Sequence, residues 1–364
     1  MSMAKRKPQG ELKRGWTTGA CATAAATAAY GALLTGTFSD PVTITLPGGQ
    51  EPSFALSRHE LDGERAVAGA IKDAGDDPDV THGAEVVVQV ERAKPDSGVV
   101  FRAGEGVGTV TLPGLPLAVG EPAINPAPRA MMESAVAGLA AKHNANSDVE
   151  ITVSIPGGES LAEKTMNGRL GIQGGLSILG TTGVVIPYSC SSWIHSIHQG
   201  VDVARATGIS HIAAATGSTS ERAIAEMHGL GEQALIDMGD FAGGLLKHLR
   251  SHPVERLTLA GGFGKLTKLA QGNLDLHSSR SSVDMDALAS ALADLKAPPD
   301  IIKRVKSANT AMEVLELATD EGLAVADRIA AEARSVALAT LSGGTRVEVC
   351  VFDRNGKLVG HADG

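Results

Sequence analysis

Ile212-Ala213-Ala214-Ala215-Thr216-Gly217-Ser218-Thr219-Ser220-Glu221 decides the fold. Its first four residues make a strand too short and too apolar for a sheet with a wet face. The small-residue turn that follows leads into a helical pattern over 220–228. The same order of events recurs at Leu257-Thr258-Leu259-Ala260-Gly261-Gly262-Phe263-Gly264-Lys265, and Val184-Val185-Ile186 reads as another such strand. Helical patterns over 192–207 and 241–252 lie between these runs. Short apolar strands alternating with helices predict an α/β, Rossmann-like domain: a mostly parallel sheet covered on both faces. Further helices are expected near 285–295, 301–305, 310–319 and 323–341. In the last, Leu323, Ala326, Ile329, Ala333 and Val336 keep helical spacing.

Outside this block the texture changes. Val42-Thr43-Ile44-Thr45-Leu46, Ile151-Thr152-Val153-Ser154-Ile155 and Val347-Glu348-Val349-Cys350-Val351 alternate apolar with polar or small residues, and 85–91 is a fourth candidate. Alternation implies one buried and one wet face, the habit of antiparallel sheets. Because the strand at 347–351 shares the texture of the early ones, it is expected to return to their sheet. The expected architecture is an α+β domain, residues 1–170 plus 343–364, interrupted by an α/β domain over 171–342.

Composition sets bounds on function. The chain has 364 residues, 43% hydrophobic, which excludes wholesale disorder. Asp and Glu outnumber Lys and Arg, 41 against 32, so a general nucleic-acid backbone binder is disfavoured. Cys21, Cys190 and Cys350 are far apart and form no Cys-x-x-Cys pair, which argues against a disulfide framework or a thiolate zinc site. Lys5-Arg6-Lys7 is followed by no apolar core, and no run of about 20 apolar residues exists to span a membrane. A soluble cytoplasmic protein is expected. The 44 glycines, about 12% against roughly 7% in average usage, imply many tight turns or close backbone approaches.

Several segments could carry chemistry. In Arg14-Gly15-Trp16-Thr17-Thr18-Gly19-Ala20-Cys21-Ala22, Thr17 or Thr18 can cap an alanine-rich helix. A helix start with free N–H groups beside Arg14 would attract an anion; an ordinary capped, tightly packed helix explains the same residues. Four aspartates and His82 crowd the stretch Lys72-Asp73-Ala74-Gly75-Asp76-Asp77-Pro78-Asp79-Val80-Thr81-His82-Gly83. The spacing does not fit a calcium loop, and turn capping accounts for most of it. Three prolines stiffen Gly120-Glu121-Pro122-Ala123-Ile124-Asn125-Pro126-Ala127-Pro128-Arg129, where Glu121 and Arg129 could present fixed contacts or merely belong to a connector. The loops at 216–221 and 261–265 sit where open α/β sheets bind ligands, beyond strand carboxyl ends. Neither completes a phosphate-loop or dinucleotide fingerprint. Asp275-Leu276-His277-Ser278-Ser279-Arg280-Ser281 mixes a proton acceptor, hydroxyls and a cation. His195 and His198 share a helix face, but no third metal ligand follows from the sequence, so both read as surface histidines.

Taken in order, the segments 13–22, 72–79 and 120–126, then Gly180-Thr181-Thr182-Gly183, Thr216-Gly217-Ser218-Thr219-Ser220-Glu221 and Gly261-Gly262-Phe263-Gly264-Lys265, resemble those of the CbiD family over residues 11–352. The resemblance implies a two-domain fold and a cobalt-precorrin-5B (C-1)-methyltransferase of cobalamin biosynthesis. The methyl donor would be S-adenosyl-L-methionine, the substrate cobalt-precorrin-5B and the product cobalt-precorrin-6A. On this reading Thr216, Gly217, Ser218, Gly261, Gly262 and Gly264 hold the cofactor. Arg14, Thr17, Thr18 and Arg129 hold the carboxylate-fringed macrocycle, and Asp275, His277 or Glu121 handles any proton. No tightly bound protein metal is expected, nor nucleic acid or membrane as partner. A homo-oligomer and transient contacts with neighbouring pathway enzymes are both compatible. The rival functions are a nicotinamide-dependent precorrin reductase and a non-catalytic corrinoid-binding protein.

Overall fold

The computed structural model describes residues 10–364, so Lys5-Arg6-Lys7 and the expectation of no secretory leader lie outside the described residues. The chain forms two compact units, Met1–Ser189 and Cys190–Gly364.

The first unit runs β1 (Gly15–Trp16), α1 (Thr18–Thr35), β2 (Val42–Thr43), β3 (Ser53–Phe54), β4 (Arg58–Asp62), β5 (Arg65–Ile71), β6 (Glu85–Arg92), β7 (Val99–Ala103), β8 (Thr109–Val110), α2 (Pro126–His143), β9 (Val149–Ser154), α3 (Gly158–Ala162), β10 (Ile172–Gln173) and β11 (Val184–Val185). Its main sheet has the order β4-β5-β6-β9-β7 and is antiparallel except for the β7–β9 pair. Alternation works here as expected: Val86, Val88 and Val90 are buried with Ile151 and Val153 of the neighbouring strand. α1 packs on β5 and β6. Helix and strand meet through alanine, with Ala22, Ala25, Ala26 and Ala29 on one and Ala66, Ala68 and Ala70 on the other all buried. Small side chains bring the backbones close, and a larger one would force them apart.

The second unit runs α4 (Cys190–Ala206), β12 (His211–Ala215), α5 (Ser218–His228), β13 (Leu235–Asp237), α6 (Ala242–Ser251), β14 (Arg256–Gly262), α7 (Phe263–Ala270), α8 (Met285–Asp294), α9 (Pro299–Lys306), α10 (Ala311–Asp320), α11 (Val325–Leu341), β15 (Arg346–Phe352) and β16 (Leu358–Ala362). The sheet order is β13-β12-β14-β15-β16. The first four strands are parallel and β16 is an antiparallel edge. Both faces are covered. Ala213 and Ala215 pack with Ile224 of α5, whereas Ile212 and Ala214 pack with Leu245 and Leu249 of α6 and the large core that includes α11.

Two expectations need correction. β15 pairs with β14, not with the first sheet, so the α/β unit is not an insertion. The misleading alternation at 347–351 has a buried cause: Glu348 is 2% exposed and points into a polar network, not into water. In addition, Val184–Val185 is no strand of the parallel sheet. It pairs antiparallel with Gly15–Trp16 in the first unit. The proposed limits 1–170 plus 343–364 and 171–342 therefore give way to one division after Ser189.

Candidate functional site

From β12 the chain passes through α5 to β13 on one side, then crosses back to β14 on the other. The gap between the carboxyl ends of β12 and β14 is thus a topological switch point, where loops diverge and leave space. A cavity of about 370 Å³ lies there, lined by Thr216, Gly217, Ser218, Thr219, Ser220, Gly262, Met312, Phe352, Asp353 and Arg354. Small-molecule cavities run from about 300 to 1,000 Å³. A Cβ built on Gly217 or Gly262 meets nothing within 4 Å, so the absence of side chains at these two positions is what keeps the space open. α5 starts at the cavity wall, and its eleven residues direct a partial positive charge there. Lys265 fixes the floor: its Nζ donates to the Thr216 carbonyl at 2.7 Å and sits 3.1 Å from Asp240.

Four of the six residues expected to hold a cofactor, Thr216, Gly217, Ser218 and Gly262, therefore line one cavity. The other two do something else. A Cβ on Gly261 would come within 2.8 Å of Thr216 Oγ1, so this glycine lets the loop lie on the strand. Gly264 faces Ala311 of α10, 3.6 Å from a built Cβ. Sequence reasoning missed Met312, Phe352, Asp353 and Arg354. With β15 assigned to the wrong sheet, its carboxyl end could not be placed at this opening.

Asp275 and His277 lie on an exposed turn of the same unit and line neither cavity described here. Asp275 accepts from Arg280 at 2.6 Å and from the His277 backbone N–H at 3.1 Å. Partial burial pushes its carboxyl up, but these donors outweigh that and hold it below the ordinary value, which makes Asp275 a weak base. His277 Nδ1 lies 2.7 Å from Ser279 Oγ.

In the first unit, Thr17 caps α1 by accepting from Ala20 N–H at 3.2 Å. The expected free N–H groups are largely taken: Gly19 N–H donates to the Leu179 carbonyl, and Thr17 N–H to that of Gly183. Thr17 and Thr18 are buried, and Gly180 packs directly over Thr17. Arg14 is exposed just before them. The acidic stretch is a set of ties. Lys13 Nζ binds Asp73 at 2.6 Å, Lys13 N–H binds Asp76, the Tyr188 N–H binds Asp77 at 2.7 Å, and Lys72 pairs with Asp79. Gly15 is obligatory where these segments cross, because a Cβ there would lie 2.1 Å from the Ala74 backbone.

Glu121 and Arg129 line a separate cavity of about 500 Å³ with Phe101, Arg102, Gly120 and Glu133. Arg129 is heavily committed. It sits 2.9 Å from Glu121, donates to the carbonyls of Ile124 and Pro122 at 2.8 and 3.1 Å, and lies over the Phe101 ring. It is first a brace for the proline-rich loop.

A family model described as CbiD matches residues 5–187, and one described as CbiD, C-terminal domain matches residues 275–363. The chain belongs to the CbiD family. It is 57% identical over 354 residues to a cobalt-precorrin-5B C(1)-methyltransferase of Bradyrhizobium sp., covering 97% of this chain and 94% of that one. It is 58% identical over 352 residues to the protein of that name from Paramagnetospirillum magneticum, covering 96% and 98%. A crystal structure of the cobalamin biosynthesis protein (cbiD) from Archaeoglobus fulgidus matches with 27% identity and a TM-score of 0.40, covering 75% of this chain and 84% of that one. No helix among the described residues is long and apolar enough to cross a membrane.

Proposed function

We propose that this CbiD protein is a cobalt-precorrin-5B C(1)-methyltransferase, and that its methyl donor, S-adenosyl-L-methionine, binds in the 370 Å³ cavity at the carboxyl ends of β12, β14 and β15. The observation that carries the placement is the convergence of Thr216, Gly217, Ser218 and Gly262 on one opening at the switch point. The donor supplies an activated methyl group on a sulfonium, released as the carbon–sulfur bond breaks and the new carbon–carbon bond forms. The macrocycle's own carbon attacks, so no nucleophilic side chain is required. The protein's task is alignment, which is worth roughly 7–11 kcal/mol in favourable cases.

The residues at hand suit that donor. The α5 N-terminus and Arg354 would hold its carboxylate, Ser218 and Thr219 its hydroxyls, and Phe352 with Met312 would flank the adenine. Arg14 and Arg129 are assigned to the carboxylate fringe of the macrocycle. Asp275 and Glu121 are each held by an arginine, which leaves His277 as the proposed proton acceptor. The protein would act in the cytoplasm on a diffusible substrate.

Gly262 tests the placement. Its φ of −71° suits any residue and its Cβ direction is open, so Gly262→Leu should fold and fill the cavity. Calorimetry should show S-adenosylmethionine binding weakened at least tenfold with the melting temperature unchanged. Unchanged affinity would send the donor elsewhere. NADPH binding in place of S-adenosylmethionine would favour a reductase, and macrocycle binding without methyl transfer a carrier.

A further inference from the structure

α4 and α6 pack side by side in the second unit, and each presents polar groups one helical turn apart at the contact. On α4 these are His198 and Asp202; from α6 they are His248 and His252, the latter its C-terminal cap. Side chains four apart share a helix face, so two such pairs confront each other. The His248 ring stacks between His198 and His252, with centroids 4.1 Å away on either side. His248 Nε2 lies 2.8 Å from Asp202 Oδ1. One donor atom each from Asp202, His248 and His252 falls within 4.8 Å of the others, and all three residues are half-buried.

We propose that Asp202, His248 and His252 form a binding site for a divalent late first-row transition ion such as Zn²⁺. Zinc takes imidazole nitrogen and carboxylate oxygen at about 2.0–2.2 Å, usually with four ligands. Donor atoms on one ion then sit roughly 3–4 Å apart, and because imidazole lone pairs lie in the ring plane, ion binding requires the His252 ring to turn out of its stack on His248. His252 Nδ1 is engaged locally, 2.9 Å from Ser251 Oγ and 3.2 Å from the His248 carbonyl, so Nε2 is the ring nitrogen offered to an ion. His198 acts from outside, its Nε2 held 3.2 Å from the Gly244 carbonyl while its ring supports His248. Solvent completes the coordination. The proton shared between His248 and Asp202 leaves as the ion enters.

The location argues for a structural staple. His252 lies just before β14 and Asp202 before β12, at the amino ends of these strands. The cavity assigned to the methyl donor lies at their carboxyl ends. Arg205 Nε, which donates to the Pro253 carbonyl at 3.0 Å, already ties the same two segments. The proposal is independent of the reaction. The sequence reading, which expected no resident metal, stopped at His195 and His198. His195 is exposed and outside the cluster; Asp202 lies only four residues beyond His198, but the two histidine ligands lie 46 and more residues beyond Asp202.

The test uses the full-length protein, stripped with a chelator and titrated with Zn²⁺ by calorimetry at neutral pH. One saturable equivalent is expected, with proton release seen as a buffer-dependent heat and a rise in melting temperature. His252→Ala, a substitution at a helix end, should fold, and Asp202→Asn is a second variant. Each should weaken that equivalent by about tenfold or more, since loss of an outer-shell partner alone costs about 10–100-fold. His228→Ala, which disables the separate His211, His228 and Glu348 cluster, should leave it intact. No saturable binding, or binding that survives in both His252→Ala and Asp202→Asn, would overturn the proposal.

Discussion

Among the described residues two charged side chains are fully buried, one in each unit, and they are held in opposite ways. Lys72 is served locally: Asp79 and Thr81, seven and nine residues on, meet its ammonium. Glu348 is served from across the fold. It accepts from Thr258 at 2.5 Å and Arg256 at 2.9 Å, 90 and 92 residues away, and lies 2.9 Å from His228 and 3.0 Å from His361. A buried charge survives only with such partners, because desolvation would otherwise dominate. The lesson is one of range. A local tie leaves its signature in a single stretch of sequence, whereas a non-local one leaves a lone polar residue that looks solvent-facing.

The largest effect should come from breaking the local tie. Asp79→Ala strands the Lys72 ammonium at 2% exposure, which should cost about 3–5 kcal/mol in denaturant unfolding. Asp79→Ala combined with Lys72→Met should recover most of that loss, because the charge and its desolvation vanish together. If the single variant loses under about 1 kcal/mol, Lys72 has another outlet and does not depend on its local partner.

Acid should expose the non-local network. Burial pushes the Glu348 carboxyl up, but hydrogen bonds from Thr258, His361 and Arg256 and the charge of His228 bring it down to about 2, from 4.5. The folded state thus binds its proton less readily than the unfolded chain. Stability from this group is complete above pH 4.5 and is lost as pH falls toward 2. With His361 and Arg256 open to water, the loss is about 2 kcal/mol rather than the full Coulombic value. Melting curves between neutral pH and pH 3 should show this fall in the parent. Glu348→Gln should start lower and flatten the slope, and an unchanged slope would remove Glu348 from the network.

The same distinction of range explains what could be read in advance. The strand–loop–helix passages at 212–228 and 257–270 were legible because period and turn chemistry are local, and they led straight to Thr216, Gly217, Ser218 and Gly262. A cap at Thr17 or Thr18 was legible for the same reason, as was turn capping by Asp73 and Asp79 at the N–H groups of Gly75 and Thr81. The ties of Asp76 and Asp77 to Lys13 and Tyr188, 63 and 111 residues away, were not. The placement of β15 was not, since Glu348 owes its burial to Arg256 and His228, and nothing near 348 announces them. That Arg129 also braces the proline-rich loop was not legible, because two of its partners are backbone carbonyls, which leave no sequence signal. The cavity wall at Phe352, Asp353 and Arg354 follows the end of β15 and was lost with it.

The smallest effect separates capping from binding by comparing one threonine in each unit. Thr17 caps α1 and is 7% exposed; Thr310 caps α10 at the surface, accepting from Glu313 N–H at 3.2 Å. Losing a threonine cap costs typically about 1 kcal/mol. Thr310→Ala should cost that or less, with the KM for the macrocycle unchanged. Thr17→Ala should cost about 1–2 kcal/mol, since Gly180 packs against the side chain and truncation leaves a gap as well as a lost cap. If Thr17 only positions α1, its KM for the macrocycle should stay within about twofold of the parent, like that of Thr310→Ala. If KM rises tenfold while melting temperature falls no further than the cap predicts, the buried hydroxyl reaches the substrate after all, and the anion reading of this helix start is restored.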